Sequence, residues 1–465
     1  MWNLEPRSLV FALAGALLWP GPASAQYWAD AGQPLDQWAA HICYNDTVHD
    51  WLLVGGEGYL ILDGHYYKPL FRYDGLKWDT LGLFGNVVRT AVVYRDTLIV
   101  GGGFEWMHED TLVRIAAYAD GAWHPYGDLG PGPVRKLRVV DGELYAMGVF
   151  RYADGQFCEG AAKRVGGHWE PLPNWPLMQY GPPYMNDITR FQGRLVVSGV
   201  FTTLSPSFRN MMQYDGSAWI PVCNGCASGG FDSAGDLVVY KDNLYMGGAI
   251  HFSSTTPGQG VIRWDGQQWY GLSVEAGGIQ MYNYSDFYTP VVQRLDVYQD
   301  RLFLAGGVRF VNHLPTPGIA SWDGTNFCTL AQPELYGDFE SSTFTFYHDT
   351  LYMSMSPPAT LGRGLVRYLG TDYTHECSTL GWEELTGPGT ALQVHWSPTQ
   401  GLSLLGLPAG LHELQVYDAQ GRLVLRQPVR SQAGRSEAVA FAPLGSALYI
   451  AVVDGQKAGR FILTR

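Results

Sequence analysis

The chain has 465 residues, 46% of them apolar, 14% aromatic and only 16% charged, with 58 glycines, 27 prolines and a net charge of −13. So many aromatics with so little charge exclude a disordered chain, and the surplus of turn formers excludes a helical bundle. No run of Lys or Arg is present, so a phosphate-tracking surface, and with it a nucleic-acid partner, is not expected.

The N-terminus predicts a secretory signal peptide over residues 1–25. Arg7 precedes an apolar stretch, Leu9 to Trp19, that is too short to span a bilayer, and Ala23-Ser24-Ala25 offers the small–x–small cleavage pattern. The alternative, a buried helix, is opposed by Pro20 and Pro22. No later segment is long and apolar enough to cross a membrane, so the expected location is secreted or at the outer cell surface. In that oxidising setting Cys43, Cys158, Cys223, Cys226, Cys328 and Cys377 can pair in any of fifteen ways. Cys223 and Cys226 form a lone C-x-x-C, a weak metal signal beside a local disulfide or two free thiols.

Internal repetition dominates the chain beyond the N-terminal segment. A strand ending in glycine recurs as Leu52-Leu53-Val54-Gly55-Gly56, Leu98-Ile99-Val100-Gly101-Gly102 and Leu144-Tyr145-Ala146-Met147-Gly148. It returns at Leu195 to Gly199, Leu244 to Gly248 and Leu302 to Gly306, and in degenerate form at Leu351 to Met355. The leading leucines are 46, 46, 51, 49, 58 and 49 residues apart. Behind each of the first six copies comes a turn and an aromatic: Asp74-Gly75 before Trp78, Asp120-Gly121 before Trp123, Gly166-Gly167 before Trp169, Asp215-Gly216 before Trp219, Asp265-Gly266 before Trp269, and Asp323-Gly324 before Phe327. Asp-Gly between apolar runs predicts a type I′ hairpin turn. Each unit therefore predicts four strands, a to d. Such units cannot bury both faces alone and stack radially, so the fold class is all-β, a seven-bladed β-propeller.

Trp28 lies 18 residues before Asp46, the spacing that separates Trp78 from Asp96 and Trp123 from Asp141. Tyr27 to Gly32 is thus an orphan strand d, placed to complete the last blade and remove an exposed edge. Cys43 and Cys377 lie near that seam and are one candidate closing pair.

The double glycine and aromatic pair resemble kelch-type propellers over roughly Gln26 to Leu380. Kelch-like architecture implies a fold and no single activity. The propeller is assigned residues 26–383, followed by a linker over 384–390 that contains Gly387-Pro388-Gly389.

The period is lost in the last segment, 391–465. A hairpin, Leu414 to Leu425, and strands at Ala438 to Phe441, Ala447 to Val453 and Arg460 to Leu463 predict a small antiparallel, immunoglobulin-like β-sandwich. Tyr417-Asp418, Gly421-Arg422, Pro443-Leu444-Gly445, Leu448-Tyr449-Ile450 and the terminal Arg465 resemble the type A C-terminal sorting domain of the type IX secretion system. His395-Trp396-Ser397-Pro398 stands where that family usually carries Tyr-Pro-Asn-Pro. The resemblance implies type IX machinery as a partner and delivery to the outer surface. An ordinary accessory domain is the alternative.

In a propeller the a–b and c–d turns share one face and the b–c and d–a loops the other. Length variation falls on the second, which is the expected binding face. Two of its loops are aromatic: Trp175, Tyr180 and Tyr184 in one, and Tyr282, Tyr284, Asp286 and Tyr288 in the other. These suit sugar stacking or peptide anchoring, or else plain packing between blades. No P-loop, His-Glu-x-x-His, Gly-x-Ser-x-Gly or calcium-loop pattern appears, so no catalytic residue and no cofactor is assigned. Glu105, His108 and Glu109, or His251 and His313, are scattered polar residues that give no metal assignment. The expected function is non-catalytic binding of a glycan or protein ligand. A polysaccharide-active hydrolase or lyase, or a structural part of a surface assembly, are the alternatives.

Overall fold

The structure, a computed structural model, describes residues 27–32, 40–107, 110–111, 114–222, 231–250, 258–272, 291–308, 310–311, 314–316, 318–330, 343–354, 364–370, 373–374, 376–377, 393–397, 401–405, 409–418, 423–432, 435–436, 439, 447–453 and 456–463. All regular structure among these residues is β-strand. The chain divides into two compact units, 1–380 and 381–465.

Within the first unit each repeat becomes one antiparallel sheet. In the first repeat strand a is Ala40–Asp46, b is Trp51–Gly56, c is His65–Tyr73 and d is Trp78–Phe84. The same order recurs through the third repeat, whose strands are Val134–Val140, Glu143–Gly148, Ala161–Val165 and His168–Pro171. The sixth begins at Val292–Tyr298 and gains a fifth strand, Glu376–Cys377, along its outer edge. Strand a of every repeat lies against strand a of the next, and Phe344–Tyr347, the last, returns to Ala40–Asp46. This is a β-propeller-like arrangement.

Strands b are covered on both faces by neighbouring sheets, so they read as continuous apolar runs rather than alternating ones. In Leu52 to Gly56, Leu98 to Gly102 and Leu144 to Gly148 every residue is buried. The terminal glycine is a steric requirement. A Cβ on Gly102 would stand 2.2 Å from the Val87 carbonyl oxygen, on Gly148 2.3 Å from that of Pro133, and on Gly306 2.0 Å from that of Val291.

The aromatic pair meets across the c–d turn, where Tyr73 is directly opposite Trp78, Tyr214 opposite Trp219 and Trp264 opposite Trp269. Their ring centroids are 5.0, 5.3 and 5.2 Å apart. In the third repeat Arg164 takes the first position and lies over Trp169 instead. The outer tryptophans also stitch sheets together. The indole N–H of Trp123 donates to the Leu81 carbonyl (2.9 Å), that of Trp169 to Tyr126 (2.8 Å) and that of Trp219 to Pro173 (2.9 Å).

The turn assignment needs correction. Successive positive φ values, the type I′ signature, sit in the a–b turns, as at Arg95-Asp96, Asp141-Gly142 and Lys241-Asp242, and in the c–d turn at Asp120-Gly121. At Asp74, Asp215, Asp265 and Asp323 only the following glycine has positive φ. Those turns are longer, and the aspartate organises them through its side chain. Asp74 Oδ1 accepts from the Leu76 and Lys77 N–H groups, and Asp215 Oδ1 from Ser217 and Ala218. These backbone donors hold both carboxyls below the usual carboxylate range.

Trp28–Asp30 pairs with Leu365–Tyr368, and Trp28 faces Tyr368 as Trp78 faces Tyr73. The orphan strand therefore fills the fourth place in the last sheet. Trp28 is wholly buried, a burial that stabilises the seam by about 2–3 kcal/mol. The Cys43–Cys377 pairing is overturned: Cys377 is bonded to Cys328, its cross-strand neighbour, and Cys43 is a buried free thiol. Residues 1–25, Cys223 and Cys226 lie outside the described residues.

The second unit differs in detail from a sandwich of two sheets. Its strands form one antiparallel ladder in the order Gln393–Ser397, Gly401–Leu405, Arg435–Ser436, Leu423–Gln432, Gly410–Asp418, Ala447–Val453, Gln456–Leu463. The first and last of these lie against each other, so the sheet curls round rather than splitting in two.

Candidate functional site

Strands a surround a cavity of about 660 Å³. Its lining runs along these strands, from His41 to Tyr44, Arg89 to Val92 and Arg135 to Val139 in the first three repeats, and includes Gly248 of a strand b. Val291 and Thr343, just ahead of two of these strands, carry the lining to the ends at which the d–a loops arrive, on the wide-loop face.

One structural device recurs around its mouth. The a–b pairing slips by one residue near the start of strand a, and the extra residue is His41, Arg89, Arg135, Asn186 or Gln293. A β-bulge re-aims its side chain out of the ladder, and all of these residues line the cavity. Arg89 and Arg135 put cations on successive strands, with His41 on the strand beside them. The His41 ring nitrogen lies 3.1 Å from Glu57, which also takes Lys68 at 3.2 Å. Burial and the Arg89 cation hold the His41 imidazole below its ordinary value, against the pull of Glu57. Arg135 is exposed to the cavity yet flanked by protein; burial and the neighbouring Arg89 both lower its proton affinity. Its guanidinium lies 5.9 Å from the centre of the Tyr184 ring.

Deeper in, acids and bases are matched. Asp187 is fully buried and takes a two-pronged bond from Arg138, Nε to Oδ1 at 2.8 Å and Nη2 to Oδ2 at 2.7 Å. It also accepts the Leu237 N–H of the next repeat at 2.9 Å. Asp236 accepts the Leu295 N–H at 3.1 Å, one repeat further on, and Lys136 Nζ reaches its other oxygen at 2.5 Å. Burial works against the Asp236 carboxylate, but Lys136, Arg294 and Arg138 outweigh it and hold the group well below the usual range. Desolvation pulls the Lys136 ammonium down. Its short contact with a carboxylate that also receives a backbone donor fixes the pair as ionised. These groups bind repeat to repeat.

The aromatics predicted as ligand contacts separate in space. Trp175 is half-buried and packs edge-on to Trp219 at 4.9 Å, against the core shared by the third and fourth repeats. Tyr180 is 70% exposed, and Tyr184, 50% exposed, stands beside Arg135 at the cavity mouth. Tyr282, Tyr284, Asp286 and Tyr288 lie outside the described residues, as do His108, Glu109, His251 and His313. Glu105 is ion-paired with Arg114. Further aromatics stand on b–c hairpins of the same face: Tyr59 and Tyr66, in edge contact at 5.1 Å, and Tyr152 with Phe157 at 5.8 Å, all exposed. Loop length and loop aromatics do not point to the bulge residues, which sit inside strands. Their signal is a polar residue directly after the apolar residue that opens the strand, as in Ala40-His41, Val88-Arg89, Val134-Arg135 and Val292-Gln293.

Fold and site together define a β-propeller-like protein with an axial cavity and a cationic mouth. No family model matches the chain, and no curated protein matches it. Among solved structures it is similar to an ulvan lyase, a polysaccharide lyase bound to a glucuronate–sulfated rhamnose unit, at 13% identity over 73% of this chain and 96% of that one, with a TM-score of 0.38. It is also similar to Drosophila semaphorin 2a at 8% identity over 91% and 85% of the two chains, with a TM-score of 0.24. The extracellular domain of a hybrid two-component system from B. thetaiotaomicron matches at 11% identity over 91% and 73%, with a TM-score of 0.25.

Proposed function

We propose that the protein is a seven-bladed, kelch-like β-propeller over residues 26–383 that binds a glycan on its wide-loop face without catalysis of its own. One observation carries this reading: the axial cavity reaches that face, with polar bulge residues at that end and Tyr184 beside Arg135. Polar side chains set in a concave site with exposed aromatics nearby suit hydroxyl recognition and ring stacking. Tyr180 and, by the sequence, Tyr282, Tyr284, Asp286 and Tyr288 are further contacts of this reading, whereas Trp175 supports it through packing. Residues 1–25 act as the export signal. Residues 391–465, joined through 384–390, act as a type IX sorting domain, so the protein works in the secreted or surface-displayed state.

A glycan array run beside a reducing-sugar release assay tests the reading. Binding without turnover is the expected result. Turnover of any polymer would establish a polysaccharide-active enzyme instead, and binding of no glycan would remove the proposal. Removing residues 391–465 is expected to leave the protein in the periplasm of a type IX-competent host. Undiminished surface delivery of the shortened chain would refute the sorting role.

A further inference from the structure

This inference rests on the glycan reading and sharpens it. We propose that Arg89 and Arg135, at the cavity mouth beside His41, form the subsite for an acidic substituent of the glycan, a carboxylate or a sulfate.

The bulge position places His41, Arg89 and Arg135 on successive inner strands, facing one cavity. The other cations of the channel already have anionic partners: Lys136 has Asp236, Arg138 has Asp187, Arg294 has Asp296 and Lys68 has Glu57. Among the described residues no carboxylate lies within ion-pair distance of Arg89 or Arg135. Arg89 Nε is buried and has no hydrogen-bond acceptor. Other buried nitrogens share that state among the described residues, but Arg89 also lines the cavity, where a ligand oxygen can complete the bonding. The guanidinium fork matches the paired oxygens of a carboxylate or sulfate. Tyr184, against Arg135, sets an aromatic face next to the charge, which is how a pyranose ring bearing an acidic group presents itself. The chain as a whole carries −13, so its long-range field repels polyanions. Retention of an acidic polymer therefore requires a local cationic site.

The test is affinity electrophoresis of the full mature chain through gels containing polygalacturonate, dextran sulfate or unsubstituted dextran. Wild type is compared with Arg89→Gln and Arg135→Gln, all with matched melting midpoints. Expected is retardation by an acidic polymer and not by dextran, with affinity falling at least about tenfold in each variant. Retardation by polygalacturonate alone assigns a carboxylate ligand, and by dextran sulfate alone a sulfate. Arg135 is exposed, so R135Q carries the test if R89Q fails to fold. Wild-type mobility unaffected by both acidic polymers, or retardation that survives R135Q, overturns the inference. If dextran or another neutral glycan binds undiminished in the variants, the glycan reading stands and only the acidic subsite falls. If no glycan binds at all, both fall.

Discussion

Replacing Asp187 by alanine probes how the inner strands hold together. The buried carboxylate accepts both prongs of Arg138 and the N–H groups of Ile188 and Leu237, all between 2.7 and 2.9 Å. Breaking a buried ion pair from one side costs about 3–5 kcal/mol, because the remaining charge is left uncompensated. The orphaned Leu237 N–H adds about 1–3 kcal/mol. Arg138 keeps 29% of its side chain exposed and regains some water, which places the pair at the lower end of its range. The expected loss is about 4 kcal/mol, a large part of the roughly 5–15 kcal/mol that holds a domain together. Urea unfolding followed by tryptophan fluorescence measures it as a lower midpoint at unchanged slope. Adding Arg138→Met to Asp187→Leu removes both charges, and the double variant is expected to recover part of the loss. A D187A cost below about 1 kcal/mol, or a double variant worse than either single one, would refute the view that this pair joins adjacent repeats.

Other perturbations draw on the same geometry. Asp236 has its carboxyl depressed in the folded state, so its contribution is complete above the unfolded value of about pH 4 and is lost as pH falls through the lower folded value. Urea midpoints taken through that acid range should decline less steeply in Asp236→Asn than in wild type; parallel curves would argue against the depressed group. Cys377→Ser opens a disulfide spanning 49 residues and is expected to cost about 2–4 kcal/mol, since a loop of that length corresponds to about 4 kcal/mol of chain entropy. A reductant should lower the wild-type melting midpoint and leave the variant unchanged. Gly148→Ala forces a Cβ to within 2.3 Å of a backbone oxygen, an overpacking expected to cost about 1–3 kcal/mol. Gly103→Ala, where the nearest atom is a side-chain carbon 3.4 Å away, serves as the mild control.

The repeat was legible because its two signatures answer steric and packing demands that every sheet shares. The terminal glycine of strand b is required wherever it passes under the carbonyl just ahead of strand a, as at Gly102, Gly148 and Gly306, and the aromatic pair closes most of the c–d turns. Trp28 was placed from spacing alone because a strand missing from the last sheet has to come from the other end of the chain. Details that depend on side-chain geometry were not legible. An Asp-Gly pair fits both a type I′ turn and a longer turn held by the aspartate side chain, and only the positive φ at Gly75 without one at Asp74 separates them. The partner of Cys377 was fixed by Glu376–Cys377 lying beside Phe327–Thr329, a long-range pairing that carries no local pattern. Trp175 looked like a ligand contact because it is aromatic and in a loop; its packing against Trp219 depends on the path of that loop.

The bulge connects the repeat to the site. Without it, that residue near the start of strand a would point into the packed interface between sheets and would have to be apolar. One extra residue releases that position from the core while the ladder resumes one pair later, as it does on either side of Arg89, between Val88 opposite Gly102 and Thr90 opposite Gly101. Where the glycine of strand b leaves room for the slip, as in the first, second, third, fourth and sixth repeats, the repeat presents one side chain to the axis. Residues at this position are therefore free to differ. They are His41, Arg89, Arg135, Asn186 and Gln293, with Gly235 in the fifth repeat contributing no side chain where the pairing slips again. A near-symmetric ring thereby acquires a cationic side and a neutral side, the asymmetry that the proposed acidic subsite needs to orient a ligand.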